Sequence, residues 1–263
     1  VSALLLAGAR YDHGLTVYHQ GPPVPSMPHI DMTVAMLRER GVEVSVDTAD
    51  ATAAKWRVEP GPIAAITTAI EPDLSNAAPF LAAAAVTGGE VTIRDWPRST
   101  TQAGDSLREL FAHMGCTVAF TTDGLTLRGP AKLSGIDVDL HDVGELAPVI
   151  AAVAALADSP STLRGIAHLR GHETDRLAAL EAELRAIGAS AHQTPDGLVI
   201  EPAPLNPAVW HAYEDHRMAT AGAVIGLVVP GMQVDDIATT SKTLPDFPGM
   251  WAELTATAIG TAE

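Results

Sequence analysis

The chain has 263 residues, 47% hydrophobic and 18% charged, the balance of a folded globular protein. A formal net charge of −16 argues against a broad nucleic-acid or anionic-membrane footprint, so any anion site must be a local cluster of basic side chains. A single cysteine, Cys116, excludes an intrachain disulfide and a cysteine-built zinc site. No apolar run reaches the roughly 20 residues that span a bilayer, and no secretory pattern is visible. The reading is a soluble, cytoplasmic protein.

In chain order, Val1 leads straight into a helical run, Val-Ser-Ala-Leu-Leu-Leu-Ala-Gly, with no initiator methionine. The chain is therefore expected to be cut from a longer protein. An amphipathic helix over 31–40 ends at Gly41, which suits a helix terminus, and a hairpin with a long loop follows, ending at Lys55-Trp-Arg-Val. Proline and glycine cluster between 59 and 73, which predicts a break and two domains, 1–70 and 71–263. An apolar helix over 76–86, preceded by Asp73, leads to a strand over 90–93. A helix over 105–114 then ends at Gly115, and Cys116 opens a strand as a buried structural thiol. Asp123-Gly124 marks the turn of the following hairpin.

The order then repeats. Asp142 precedes an apolar helix over 145–157 and a strand over 162–166. A surface helix over 174–187 ends at Gly188, with a hairpin turn at Asp196-Gly197. Asp215 precedes a third apolar helix, 216–229, and a strand over 232–237. Gly41, Gly115 and Gly188 stand 74 and 73 residues apart, too long a period for a solenoid. The unit is strand, buried helix, strand, surface helix, strand, strand. Copies over 63–134 and 135–205 look complete, 1–70 lacks an opening strand, and the copy from 206 is partial.

Some polar residues stand where packing does not need them. Residues 169–180 crowd Arg170, His172, Glu173, Asp175 and Arg176 ahead of an apolar face of Leu177, Leu180, Leu184 and Ile187. A helix N-terminus favours anions, and Glu173 and Arg176 share a face. The plainer reading is a capped, solvated first turn. Ser26 and His29 precede a surface helix, His216 and Arg217 open an apolar helix, and Lys242 ends a strand pattern.

Taken together, Glu173-Thr-Asp-Arg-Leu, Asp215-His-Arg-Met-Ala and Lys242-Thr-Leu-Pro-Asp resemble, in order and spacing, the 5-enolpyruvylshikimate-3-phosphate synthases. The resemblance covers essentially the whole chain. It implies an inside-out α/β barrel fold of repeated βαβαββ subdomains, incomplete here. Residues 1–70 would be the remaining subdomain of one lobe, and Val1 would follow the family's Ser-Ser-Gln-Phe motif. It implies transfer of the enolpyruvyl group of phosphoenolpyruvate to the 5-hydroxyl of shikimate 3-phosphate, with release of phosphate, and no metal or cofactor. The complete protein is expected to be a monomer; the chain alone is expected to be inactive.

The resemblance also implies roles. Arg176 and Arg217 hold the pyruvyl carboxylate, Lys242 contacts the transferring phosphate, and Glu173 gives and takes the vinyl-carbon proton. Glu145 is the base on the accepting hydroxyl, Ser26 contacts the shikimate phosphate, and His216 faces the cleft. His172 stands where lysine is usual, His29 where tyrosine is, His168 where asparagine is, and Glu145 where aspartate is. Each keeps a hydrogen-bonding role, and His172 would make binding depend on pH. His13, His19, His113, His141, His192 and His211 are expected to be surface or satisfied histidines. The competing readings are a UDP-N-acetylglucosamine enolpyruvyl transferase, for which Cys116 is poorly placed, and a non-catalytic anion-binding fragment.

Overall fold

The computed structural model describes residues 1–259, which divide into two units: Val1–Glu71 with Ser99–Asp105, and Pro72–Arg98 with the residues from Ser106 onward.

The first unit carries α1 (Ser2–Gly8), β1 (Leu15–Tyr18), α2 (Met27–Glu39), β2 (Val44–Asp47) and β3 (Lys55–Val58). The strands form an antiparallel sheet in the order β1-β3-β2, with Trp56 opposite both Val17 and Val46. Leu5, Val34, Leu37, Trp56 and Val58 make its core. α2 starts four residues earlier than the sequence pattern indicates, because Pro28 sits in its first turn, where a missing N–H costs nothing. It gives way at Gly41, whose φ of 77° only glycine adopts freely.

Residues 59–73 form no regular element. The opening strand expected of the copy over 63–134 is therefore absent. Pro60, Pro62 and Pro72 remove ladder donors, and a strand exists only where a neighbour pairs with it.

The second unit begins with α3 (Leu74–Thr87), β4 (Glu90–Arg94), α4 (Leu107–His113), β5 (Thr117–Phe120) and β6 (Gly124–Arg128). It continues with β7 (Asp137–Asp139), α5 (Ala147–Ala154), β8 (Ser161–Arg164), α6 (Arg176–Ala186), β9 (Ser190–Gln193) and β10 (Leu198–Glu201). It closes with β11 (Val209–Trp210), α7 (His216–Gly226), β12 (Gln233–Val234) and α8 (Phe247–Ile259). The sheets run β4-β6-β5, β7-β8-β10-β9 and β11-β12. β7 pairs with β8, and β11 with β12, in parallel, across the buried helices that connect them. The hairpins at Asp123-Gly124 and Asp196-Gly197 form as expected.

α3, α5 and α7 pack on one another. All eight residues of α5 are buried. Its alanines, with Ala77, Ala78, Ala82 and Ala221, let the backbones approach closely. Larger anchors such as Leu81, Leu107, Phe111 and Leu180 are fully buried, each worth about 1.5–3 kcal/mol by removal from water. Cys116 lies in this core, and burial pushes its thiol up to about 11, as a structural cysteine requires.

Four local expectations need correction. α5 spans Ala147–Ala154, not 145–157, because Val143 leaves helical geometry and the turn His141–Leu146 is 3-10. α7 ends at Gly226, not at 229. β12 has two residues rather than six. Lys242 closes a 3-10 turn, Ile237–Lys242, rather than a strand.

Candidate functional site

The site is assembled where three chain segments enter the apolar helices. Asp73 caps α3 by accepting from the Asn76 N–H, and Asp215 caps α7 by accepting from the Arg217 N–H at 2.8 Å. Both acids were legible as helix leaders; Asp142, the third in that series, is exposed and makes no cap. Arg217 Nη1 donates to the Ser75 carbonyl at 2.8 Å, and Ser75 Oγ donates to Glu145 Oε1 at 3.5 Å. The start of α3, the start of α7 and the turn before α5 therefore converge. Helix N-termini carry partial positive charge, so the convergence suits anions.

Arg176, at the start of α6, is the hub. It is 3% exposed, and its Nε and Nη2 donate to the two oxygens of Asp215 at 2.7 and 3.1 Å. Asp215 is fully buried, so the pair compensates charges that could not stand alone. Nη2 also donates to Glu173 Oε2 at 3.1 Å, and Nη1 to His172 Nδ1 at 3.3 Å. Accepting at Nδ1 requires a lone pair there, so His172 is neutral with its hydrogen on Nε2. Burial, and then the Arg176 charge, lower the pKa of His172 in the same sense. A neutral donor thus stands at a position where the family pattern suggests a cation.

Glu173 is held on both oxygens, because Lys242 Nζ donates to Oε1 at 2.6 Å. The Lys242 hydrogen bond is the largest cause that draws the Glu173 carboxyl down to about 2, with backbone hydrogen bonding and Arg176 adding to it. Glu173 is therefore ionised in this arrangement. Arg217 has its charge disfavoured by burial, opposed by Glu145 and Asp73. His216 is buried, its Nδ1 lies 4.0 Å from Asp215 Oδ1 with no hydrogen-bond partner, and burial lowers its pKa. A small cavity between the starts of α3 and α7 and the 3-10 turn at 237–242 is lined by Asn76, His216, Arg217, Thr220, Thr240 and Thr243, among others. A wider concavity lies away from this chemistry, beside Ala155, Leu156, Pro202 and Val229, and holds no titratable side chain.

His141, His168 and His172 form a row, with successive ring centroids 5.8 Å apart. Nε2 of His168 is buried, has no hydrogen-bond partner, and packs over Gly144. Burial, followed by His172 and His141, lowers the His168 pKa. His141, expected to be a surface or satisfied histidine, is neither in full: it is half-buried, its Nδ1 meets the Gly165 carbonyl at 3.3 Å, and its Nε2 is without a partner. Only its spacing to the block at 168–172, unreadable without the fold, could have drawn attention to it. His211, by contrast, is satisfied by Asp235 at 2.8 Å.

Of the sequence-derived candidates, Glu145, His168, His172, Glu173, Arg176, His216, Arg217 and Lys242 all lie in the second unit and are joined in this network. Ser26 and His29 lie in the first unit, at the start of α2. Ser26 adopts left-handed geometry with φ 55° and makes no capping hydrogen bond. Arg170, from the same block, is turned away to Asp175, Gln193 and the Thr194 carbonyl. Asp175 itself caps α6 through the Ala178 N–H, so that helix end is not bare. Sequence reading missed Asp215 and Ser75 as parts of the site.

The family model described as EPSP synthase (3-phosphoshikimate 1-carboxyvinyltransferase) matches residues 1–251. The chain belongs to the EPSP synthase family. A curated 3-phosphoshikimate 1-carboxyvinyltransferase of Kocuria rhizophila is 56% identical over 255 residues, which cover 97% of this chain and 56% of that protein. The solved EPSP synthase of Acinetobacter baumannii matches with a TM-score of 0.75 at 25% identity, over 97% of this chain and 58% of that one. The enolpyruvyl transferase NikO of Streptomyces tendae matches with a TM-score of 0.66 at 19% identity, over 94% of this chain and 57% of that one, and speaks for the fold alone. The chain thus spans just over half the length of these EPSP synthases and relatives. The expected α/β fold of the EPSP synthases is borne out. Among the described residues no helix is long and apolar enough to cross a membrane.

Proposed function

We propose that the protein carrying this chain transfers the enolpyruvyl group of phosphoenolpyruvate to the 5-hydroxyl of shikimate 3-phosphate, releasing phosphate, on the route to chorismate and aromatic amino acids. The observation that carries the reading is the pairing of Arg176 and Lys242 with Glu173, with Arg217 held at the adjoining start of α7 beside Ser75, within an EPSP synthase chain. The reaction needs cations for a carboxylate and a phosphate, a proton for the vinyl carbon and a base for the hydroxyl. Arg217 and Arg176 receive the carboxylate, and guanidinium geometry suits that ion. Lys242 contacts the transferring phosphate. Glu173 moves the proton to and from the vinyl carbon as the tetrahedral ketal forms and collapses. Glu145 takes the hydroxyl proton, and His168 and His172 hydrogen-bond the ring substrate. Ser26 contacts the shikimate phosphate, His29 hydrogen-bonds substrate, and His216 lines the cleft. No cofactor takes part, and the protein acts as a cytoplasmic monomer.

The test is phosphate release from phosphoenolpyruvate with shikimate 3-phosphate as acceptor, against UDP-N-acetylglucosamine as acceptor. Turnover is expected with shikimate 3-phosphate alone; turnover with the sugar nucleotide alone overturns the assignment. Arg217→Ala should impair phosphoenolpyruvate use far more than shikimate 3-phosphate binding. Equal loss for both would make Arg217 a structural residue.

A further inference from the structure

The structure poses a chemical conflict within its own site. Glu173, read above as the proton donor to carbon, has each oxygen occupied by a cation: Lys242 Nζ at 2.6 Å on Oε1 and Arg176 Nη2 at 3.1 Å on Oε2. A carboxylate so held has no proton to give near neutral pH. One of the two cations must leave, and the geometry identifies which. Arg176 is 3% exposed and clamped by both oxygens of Asp215, whereas the Lys242 side chain is 55% exposed on a flexible stem and has Glu173 as its ion-pair partner. Asp215 and His172 hold Arg176 from their own segments. His216 and Arg217 stand at the adjoining start of α7, and Glu145 lies across from His172 and Arg217.

We propose that Glu173 and the phosphate of the incoming substrate compete for the Lys242 ammonium, so that phosphate binding and protonation of Glu173 are linked. The inference rests on the assignment of Lys242 to the phosphate made above. As the Lys242 N–H bonds pass from Glu173 Oε1 to a phosphate oxygen, Oε1 loses its strongest partner and gains an anionic neighbour. Both changes favour the protonated carboxyl, and the proton comes from solvent. Arg176 stays on Oε2 and keeps the group in position. The acid is thereby armed only when the phosphate is in place. Linkage also requires the reverse: protonating Glu173 frees Lys242 and tightens phosphate binding by the same factor.

The experiment follows the side-chain carboxyl carbon of Glu173 by ¹³C NMR across pH, its signal assigned by its loss in Glu173→Gln. The wild-type complete protein, its Lys242→Met variant, and the wild type saturated with phosphoenolpyruvate are compared. The wild-type group should stay ionised down to the acid limit of folding, in keeping with its pKa near 2. Lys242→Met and bound phosphoenolpyruvate should each raise its midpoint by at least about one unit, a tenfold gain in proton affinity. Binding of phosphoenolpyruvate, read from its ³¹P resonance, with an unmoved Glu173 midpoint overturns the competition and leaves the proposed activity standing. No binding of phosphoenolpyruvate by the complete protein overturns both. Because the ligand arm uses the wild type, it does not depend on how Lys242→Met folds.

Discussion

Asp215→Ala should be among the most damaging single changes in the second unit. The carboxylate is fully buried and accepts three hydrogen bonds, two from Arg176 and one from the Arg217 N–H. Removing one member of a buried ion pair costs about 3–5 kcal/mol, and Arg176 would be left with Glu173 alone as its counter-charge. Loss of the α7 cap adds about 0.5–2 kcal/mol. The two effects share one side chain and overlap, so about 4–6 kcal/mol is expected. That is a large part of the roughly 5–15 kcal/mol that holds a domain together. Asp215→Asn keeps the shape and one acceptor but not the charge, and should cost about 2–3 kcal/mol. Urea unfolding followed by far-UV circular dichroism measures both. The double variant Asp215→Ala with Arg176→Met removes both charges and should recover at least about 2 kcal/mol over Asp215→Ala alone. An Asp215→Ala protein within about 1 kcal/mol of wild type would refute the reasoning, as would a double variant as unstable as the sum of its parts.

Glu173 has a depressed pKa, so the stability it contributes is present above its unfolded value, about 4.3, and fades as pH falls toward about 2. The advantage of wild type over Glu173→Gln should be about 1–2 kcal/mol at pH 7, discounted for the half-exposed Lys242, and should shrink steadily below pH 5 in thermal melts. Tyr213 donates to Glu183 Oε1 at 2.6 Å, and burial, followed by Glu183, pushes its phenol up to about 12. Ultraviolet titration should show a late-ionising tyrosine that disappears in Tyr213→Phe, a variant costing about 1–3 kcal/mol in urea unfolding. Gly197→Ala would drive a methyl into the Leu163 carbonyl oxygen. The β8–β10 pairing must open there, and about 2 kcal/mol or more should be lost from the urea-unfolding free energy.

What the sequence determined by itself is periodic and local. The apolar runs over 76–86, 145–157 and 216–229 hold the buried helices α3, α5 and α7, because no polar face is left there to meet water. Gly41, Gly115 and Gly188 marked helix ends because each adopts a positive φ that other residues avoid. His216 and Arg217 at the mouth of an apolar helix, where charge is costly without a partner, and the charged block leading into α6 named most of the candidate site. The tertiary structure decided everything that needs a second strand or a second side chain. The segment over 63–70 has the composition of a strand but no regular structure, because pairing is not a property of one segment. Asp215 was legible only as an acid preceding an apolar helix; it caps that helix and is also the counter-ion of Arg176, 39 residues away in the chain. His141 reads from sequence as a surface or satisfied histidine and stands in a row with His168 and His172, because β8 brings Gly165 over the turn that begins at His141. That Glu173 is an ionised carboxylate under two cations follows from the Lys242 contact, 69 residues distant, which no local pattern records.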